Sequence, residues 1–171
     1  MKALLLIISV LMQVGIPDRV IPCHTHVMLD PDYYEYMDLY ENESDTSALI
    51  RIRNNKDKEM YVIFEITGKA SHRFRVNYYY DSYPISGGEY YVDIEHLVVG
   101  SCVNGLMALY SSPSFYSSIV IQIPDSSVHL YMVLDCHDDW LYVLYEDENG
   151  VKTSGWMPRS SQCPLAYTSC G

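Results

Sequence analysis

The chain has 171 residues, with 22 acidic and 11 basic side chains, a formal net charge of −11 and a hydrophobic fraction of 49%. That length holds one ordinary domain or two very small ones, and the apolar content suffices for a packed core, which excludes wholesale disorder. The charge excludes a general nucleic-acid binder, which needs a basic stripe to displace phosphate counterions, and offers nothing to an anionic membrane surface.

The N-terminus reads as an export signal. Met1-Lys2 supplies a positive start, and residues 3–14 are apolar apart from Ser9 and Gln13. Such a run matches a signal-peptide core and falls short of the roughly 20 residues of a membrane-spanning helix. The rival reading, a buried core helix, would have to start at the first residue with no polar face. We therefore expect a signal peptide over residues 1–22, a secreted, periplasmic or cell-surface protein, and no stable membrane insertion once the signal is removed. No small-x-small pattern marks the cut, and Val20-Ile21-Pro22 before Cys23 makes a poor lipidation site.

Five cysteines fit an oxidising compartment. With Cys23 assigned to the leader or a loose N-terminus, Cys102, Cys136, Cys163 and Cys170 are the disulfide candidates, and three connectivities stay open. Cys163 and Cys170 are near enough to close a small loop around Pro164. No C-x-x-C pair occurs, so no structural zinc is expected. Cys23-His24-Thr25-His26 is the densest group of metal-ligand types, but it sits in the segment read as mobile, without further ligands nearby. We expect no metal and no cofactor.

Beyond residue 30 the pattern is strand after strand, rich in Tyr, Val and Ile with alternating apolar positions. The strands repeat. Met37-Asp38-Leu39-Tyr40 returns as Met107-Ala108-Leu109-Tyr110, 70 residues later. Ile50-Arg51-Ile52 then matches Ile121-Gln122-Ile123, and Met60-Tyr61-Val62-Ile63-Phe64-Glu65 matches Leu130-Tyr131-Met132-Val133-Leu134-Asp135. Arg73-Phe74-Arg75-Val76-Asn77-Tyr78 stands against Trp140-Leu141-Tyr142-Val143-Leu144-Tyr145, and Gly88 with Tyr90-Tyr91-Val92 against Gly155 with Trp156-Met157. Asn149-Gly150 between two strand-like runs is a hairpin signal. Pro113 and Pro124 are placed in turns, and residues 98–105, with two glycines, are read as a linker. The expectation is an all-β protein: two five-stranded units over residues 30–98 and 105–165, then a tail over 166–171.

The second unit carries a wider pattern: Leu109-Tyr110-Ser111-Ser112-Pro113-Ser114, then the strands through Pro124 and Leu134, then Trp140-Leu141-Tyr142-Val143, then Gly155-Trp156-Met157. Over residues 106–163 this resembles the bacterial SH3-like (SH3b) family, whose pattern runs strand, Ser-Pro-Ser turn, hydrophobic strands, Trp-x-x-Val and Gly-Trp-Val/Ile. The first unit resembles it only through its repeat relation to the second. There Arg73 stands in place of the first tryptophan, tyrosine replaces the Gly-Trp aromatic, and Glu43-Ser44-Asp45 replaces the Ser-Pro-Ser turn. The resemblance implies tandem small SH3-like barrels that bind peptidoglycan, often its stem peptides, or protein segments. With no space left for a hydrolase domain, it implies a stand-alone binding or adaptor protein.

The candidate ligand-binding residues are Tyr110, Phe115, Tyr116, Trp140 and Trp156. Phe115 and Tyr116 lie in a serine-rich loop with few apolar neighbours, which favours exposure. The two tryptophans suit either an aromatic shelf or closure of a core, with the indole N–H seeking a partner. The acidic residues fall in turns and read as solvated loops rather than a carboxylate pair. Cys136-His137 invites a thiol-hydrolase idea, but no nucleophile-bearing helix start, Gly-x-Ser-x-Gly elbow or phosphate loop accompanies it. No enzymatic activity is expected. The rival to a wall-binding or peptide-binding module is an interaction subunit that buries its tyrosines against another protein.

Overall fold

The computed structural model describes residues 21–80, 88–103, 105–125 and 129–164. The apolar N-terminal run, the loop containing Pro84, and Cys170 in the tail lie outside the described residues. The first half of the chain contributes β1 (Ile21–Leu29), β2 (Met37–Tyr40), β3 (Ile50–Ile52), β4 (Val62–Lys69), β5 (Arg73–Tyr80) and β6 (Tyr90–Asp93). The second contributes β7 (Leu97–Ser101), β8 (Gly105–Tyr110), β9 (Ile119–Asp125), β10 (Leu130–His137), β11 (Trp140–Glu146) and β12 (Lys152–Met157), followed by the short β13 (Gln162–Cys163). The all-β expectation holds.

The strands form one antiparallel sheet ordered β3-β2-β6-β5-β4-β1-β7-β10-β11-β12-β8-β9, with β13 added beside β7. Its path is open, ending at β3 and β9. Followed inward from either end the path is the same, each strand of the first half having its counterpart six strands later. The five repeated sequence blocks fall on β2/β8, β3/β9, β4/β10, β5/β11 and β6/β12. At the centre Leu29 pairs with Leu97 and Met28 with Val98, and Asp30 N–H donates to His96 O at 2.8 Å. A local twofold therefore passes between Leu29 and Leu97.

Alternation explains the layering, since successive side chains of a strand point to opposite faces. Phe74, Val76 and Tyr78 of β5 are buried, while Arg73, Arg75 and Asn77 between them are not; Leu141 and Val143 of β11 are buried between Trp140, Tyr142 and Leu144. The inward-facing side chains of both halves merge into one buried cluster that includes Val27, Leu29, Phe64, Phe74, Tyr131 and Val143. Asn149-Gly150 does make the β11–β12 turn: Gly150 takes a left-handed φ of 79°, and Asp147 Oδ1 accepts from the N–H groups of Asn149 and Val151.

Four expectations are corrected. The supposed linker at 98–105 begins inside β7, whose Leu97, Val98 and Val99 are buried. This strand is central and covered on both faces, so it shows a short apolar run instead of alternation. Cys23 is not in a loose segment: it lies fully buried in β1 and forms a disulfide with Cys136 of β10, joining positions 113 residues apart. Cys23-His24-Thr25-His26 is thus part of a strand, held further by His24 N–H to Asp138 O at 2.8 Å. Cys102, named as a disulfide candidate, is a free and exposed thiol whose Sγ lies 3.2 Å from Ser160 O. Cys163 is disulfide-bonded. Pro124 falls inside β9 opposite Leu106, where an end strand tolerates the missing donor on its open side.

Contacts around the disulfide tie the halves together. Lys69 of β4 and Asp135 of β10 form an ion pair at 2.7 Å. Thr25 of β1, buried, bonds Gln162 of β13 through its hydroxyl, and the Gln162 amide donates to Asp139 O and Met157 O.

Candidate functional site

The outer face of the second half is aromatic. Register puts Trp156 of β12 opposite Tyr110 of β8 and Tyr142 of β11, so the three side chains share one row across three strands. Their sequence neighbours Leu109, Leu141, Val143 and Met157 are buried, which turns the row outward. The row forms because β12 approaches β8 at Gly155. A Cβ there would stand 2.8 Å from Leu109 Cβ and 3.2 Å from Tyr110 O. Glycine before the tryptophan is thus a packing requirement.

Three of the five candidate residues converge. Tyr110 meets Phe115 at 5.7 Å and Trp140 at 5.6 Å between ring centroids, both edge-on, and Phe115 meets Trp140 at 4.8 Å. Such tilted arrangements set the positive ring edge against a negative ring face. Trp156 is not among these contacts; it packs on Tyr142 at 5.2 Å and His137 at 6.4 Å. Phe115 is 63% exposed, and Tyr116 beside it is fully exposed.

The loop that presents them is internally tied. Ser111 N–H donates to Ser118 O at 2.9 Å, and Ser117 N–H to Ser114 O at 3.1 Å. Ser117 Oγ accepts from Ser112 N–H and lies 2.8 Å from Ser114 O, and Ser118 Oγ bonds Ser111 Oγ at 2.9 Å. The serines satisfy the backbone of a tight loop, which leaves its two aromatics outside.

The equivalent place in the first half is built differently. Tyr40 ends β2 as Tyr110 ends β8, and Arg73 opens β5 as Trp140 opens β11. The Arg73 guanidinium carbon lies 3.4 Å from the centroid of the Tyr40 ring. Its Nη1 donates to Glu43 O and Asp45 O at 2.8 Å each, and its Nε pairs with Asp93 at 2.9 Å. One cation thus fills the space and satisfies the carbonyls of the adjoining loop. Burial first, then the Asp93 charge, pushes the Tyr40 phenol above its ordinary pKa. This half thereby has that position plugged by a cation.

It has instead a cleft of about 650 Å³ that sequence reasoning missed. One wall is the β1–β2 connection. It is fixed by Tyr33 stacking on His96 at 3.9 Å and by Tyr33 N–H donating to Asp30 O. The other wall is the β3–β4 connection. There Asn54, nearly buried, donates to Leu29 O and Asp30 O and accepts from Val62 N–H. Into the cleft come Tyr34, Tyr36, Arg51, Arg53 and Lys56. Lys56 Nζ sits 4.0 Å from the Tyr34 ring centroid, and the Arg53 guanidinium carbon 4.9 Å from that of Tyr36. The Tyr34 hydroxyl, then Asp32, outweigh desolvation and hold the Lys56 ammonium above its ordinary pKa. Two features of the sequence pointed here: the Asp-Pro-Asp-Tyr-Tyr-Glu-Tyr stretch, and three cations within six residues of a strongly acidic chain.

The Cys136 sulfur is bonded to Cys23, so in the oxidised protein it is neither a nucleophile nor a metal ligand. Among the described residues no group of three or more His, Cys, Asp or Glu is arranged to hold a metal ion. No protein-family model matches the chain, and no curated protein matches it significantly.

Proposed function

We propose that this is an exported, non-catalytic binding protein of two SH3-like halves, the second of which recognises a cell-wall component, the peptidoglycan stem peptide, or another peptide segment. The observation that carries the reading is the Tyr110–Phe115–Trp140 cluster with Phe115 exposed on a tied loop. A rigid aromatic surface offers contact area with little entropy lost on binding. In the first half Arg73 occupies the corresponding space, which supports confining this aromatic mode of recognition to the second half.

The test is co-sedimentation of the oxidised protein with purified peptidoglycan. Saturable pelleting that is lost in Phe115→Ala and Trp140→Ala, with melting temperature preserved in Phe115→Ala, supports the proposal. Absence of pelleting by folded protein rejects the wall ligand.

A second reading, an interaction subunit of a periplasmic or surface assembly, has its own support. The end strand β9 leaves Ile119 and Val120 exposed, as is Leu106 on β8, and an apolar sheet edge invites pairing. Mass rising with protein concentration would favour it.

A further inference from the structure

We propose that the first half carries a second, independent binding site: the Tyr34–Tyr36–Arg53–Lys56 cleft, which takes a carboxylate-bearing saccharide of the uronic-acid class. The inference does not rest on the aromatic surface of the second half, and it concerns a different ligand chemistry.

The charge arrangement is the first ground. The chain is strongly acidic, and most described cations are paired: Arg51 with Asp38, Lys56 with Asp32, Lys69 with Asp135, Arg73 with Asp93, Arg75 with Glu89 and Lys152 with Glu146. Arg53, like Lys58 and Arg159, has no carboxylate partner among the described residues; of the three it is the one that lines the cleft, its guanidinium against the Tyr36 ring. A guanidinium offers a planar fork of donors that matches a carboxylate bidentately. Lys56, on the same wall, supplies a second positive charge, and its ion pair with Asp32 is long at 3.4 Å and solvent-exposed.

The donor balance is the second ground. Arg51, Arg53 and Lys56 face the cleft as pure donors, and the hydroxyls of Tyr34 and Tyr36 both donate and accept, while the Tyr80 hydroxyl is given to Arg53 O at 3.3 Å. Beyond the tyrosine hydroxyls, the side-chain acceptors are the Asp57 carboxylate and the Asn55 amide oxygen. Sugar hydroxyls both donate and accept, as the tyrosine hydroxyls do, so such a wall satisfies them, while its excess of cationic donors leaves the N–H groups of an acidic peptide fewer partners. The tyrosine rings give flat apolar surfaces for the C–H face of a pyranose.

Preorganisation is the third ground. Asn54 pins one wall to the end of β1 and the start of β4, and the Tyr33–His96 stack pins the other. The volume lies within the range of small-ligand sites. The second half has no counterpart: its β7–β8 connection spans only residues 102–104, too short to raise a tyrosine wall.

The experiment is calorimetric titration of the full oxidised chain with trigalacturonate, with a neutral trisaccharide and with triglutamate. Binding of trigalacturonate alone, weakened at least tenfold in Arg53→Gln and also weakened in Lys56→Gln, is the expected result. Arg53 and Lys56 are on the surface, so both variants keep the parent melting temperature. Trp140→Ala retains the binding, which separates this site from the aromatic surface. Equal binding of triglutamate overturns the saccharide assignment. Binding indifferent to Arg53→Gln overturns the location, and no binding of trigalacturonate overturns the proposal.

Discussion

Replacing Gly155 by alanine tests the geometry that builds the aromatic face. The added methyl would stand 2.8 Å from Leu109 Cβ and 3.2 Å from Tyr110 O. Neither atom is the free end of a flexible side chain, so relief requires β8 and β12 to move apart. Forcing one carbon into a packed site costs about 1–3 kcal/mol. Gly155 has no left-handed φ, so alanine there also gains about 0.4–1 kcal/mol by restricting the unfolded chain. The expected net is a loss of about 1–2 kcal/mol, or a fall of about 3–6 °C in Tm for a chain of this size. Urea unfolding followed by tryptophan fluorescence reads both the midpoint and the displacement of Trp156. Gly88→Ala is the control, because nothing lies within 4 Å of the Cβ it would add. A Gly155→Ala midpoint equal to or above that of the parent would refute the close-approach argument.

Three further outcomes follow from named contacts. Removing the Cys23–Cys136 bridge in the double serine variant frees a loop of 113 residues and should lower stability by about 4–5 kcal/mol by loop-closure entropy; an unchanged urea midpoint would count against it. Arg73→Ala removes the Asp93 ion pair, two short bonds to loop carbonyls and the contact with Tyr40 from a side chain only 13% exposed. A loss of about 2–3 kcal/mol is expected, because the charge-assisted bonds to the loop carbonyls are lost while the Asp93 carboxylate left behind is half-exposed, with faster amide exchange over residues 41–49, and a loss below about 1 kcal/mol would contradict the plugging role assigned to it. Burial raises the Tyr78 and Tyr40 phenols above the ordinary value of 10.0. Their neutral forms are therefore favoured by folding, a contribution fully present below pH 10 and lost as pH climbs through the raised values. Tyrosinate absorbance should show a late-titrating class that merges with the rest in urea.

The repeat was legible because it is written in side chains that alternate in and out of one core. Blocks such as Met37-Asp38-Leu39-Tyr40 and Met107-Ala108-Leu109-Tyr110 occupy equivalent strands. What alternation does not mark is a central strand. β7 is covered on both faces and ends in Gly100 and Ser101, so it looked like a linker between units. β1 was hidden for another reason. Its place is set by pairing with β4 and by a bond to Cys136, both far along the chain. The aromatic candidates were visible because Phe115 and Tyr116 have only serines and a proline around them. That Phe115 and Trp140 meet, while Trp156 turns to Tyr142, depends on register. The cleft was invisible to spacing altogether, because two irregular connections form it and a single buried asparagine holds them together.

The two halves show how one strand plan can carry different surfaces. In each, the second strand ends in tyrosine and the fifth opens beneath it, so the position that opens the fifth strand decides what the tyrosine meets. A guanidinium there has several donors and a charge to neutralise. Arg73 therefore draws in loop carbonyls and Asp93 and closes the space. An indole has one donor and a large apolar face; Trp140 leaves the loop to be tied by its own serines and gathers Tyr110 and Phe115 instead. The long β1–β2 connection then gives the closed half a different concavity, lined by tyrosine and cations. Because the core beneath is continuous and the halves are bridged by Cys23–Cys136 and by Lys69–Asp135, neither surface can shift far without straining the other half. The aromatic surface and the tyrosine-lined cleft are thereby held at a constant separation on one stiff frame.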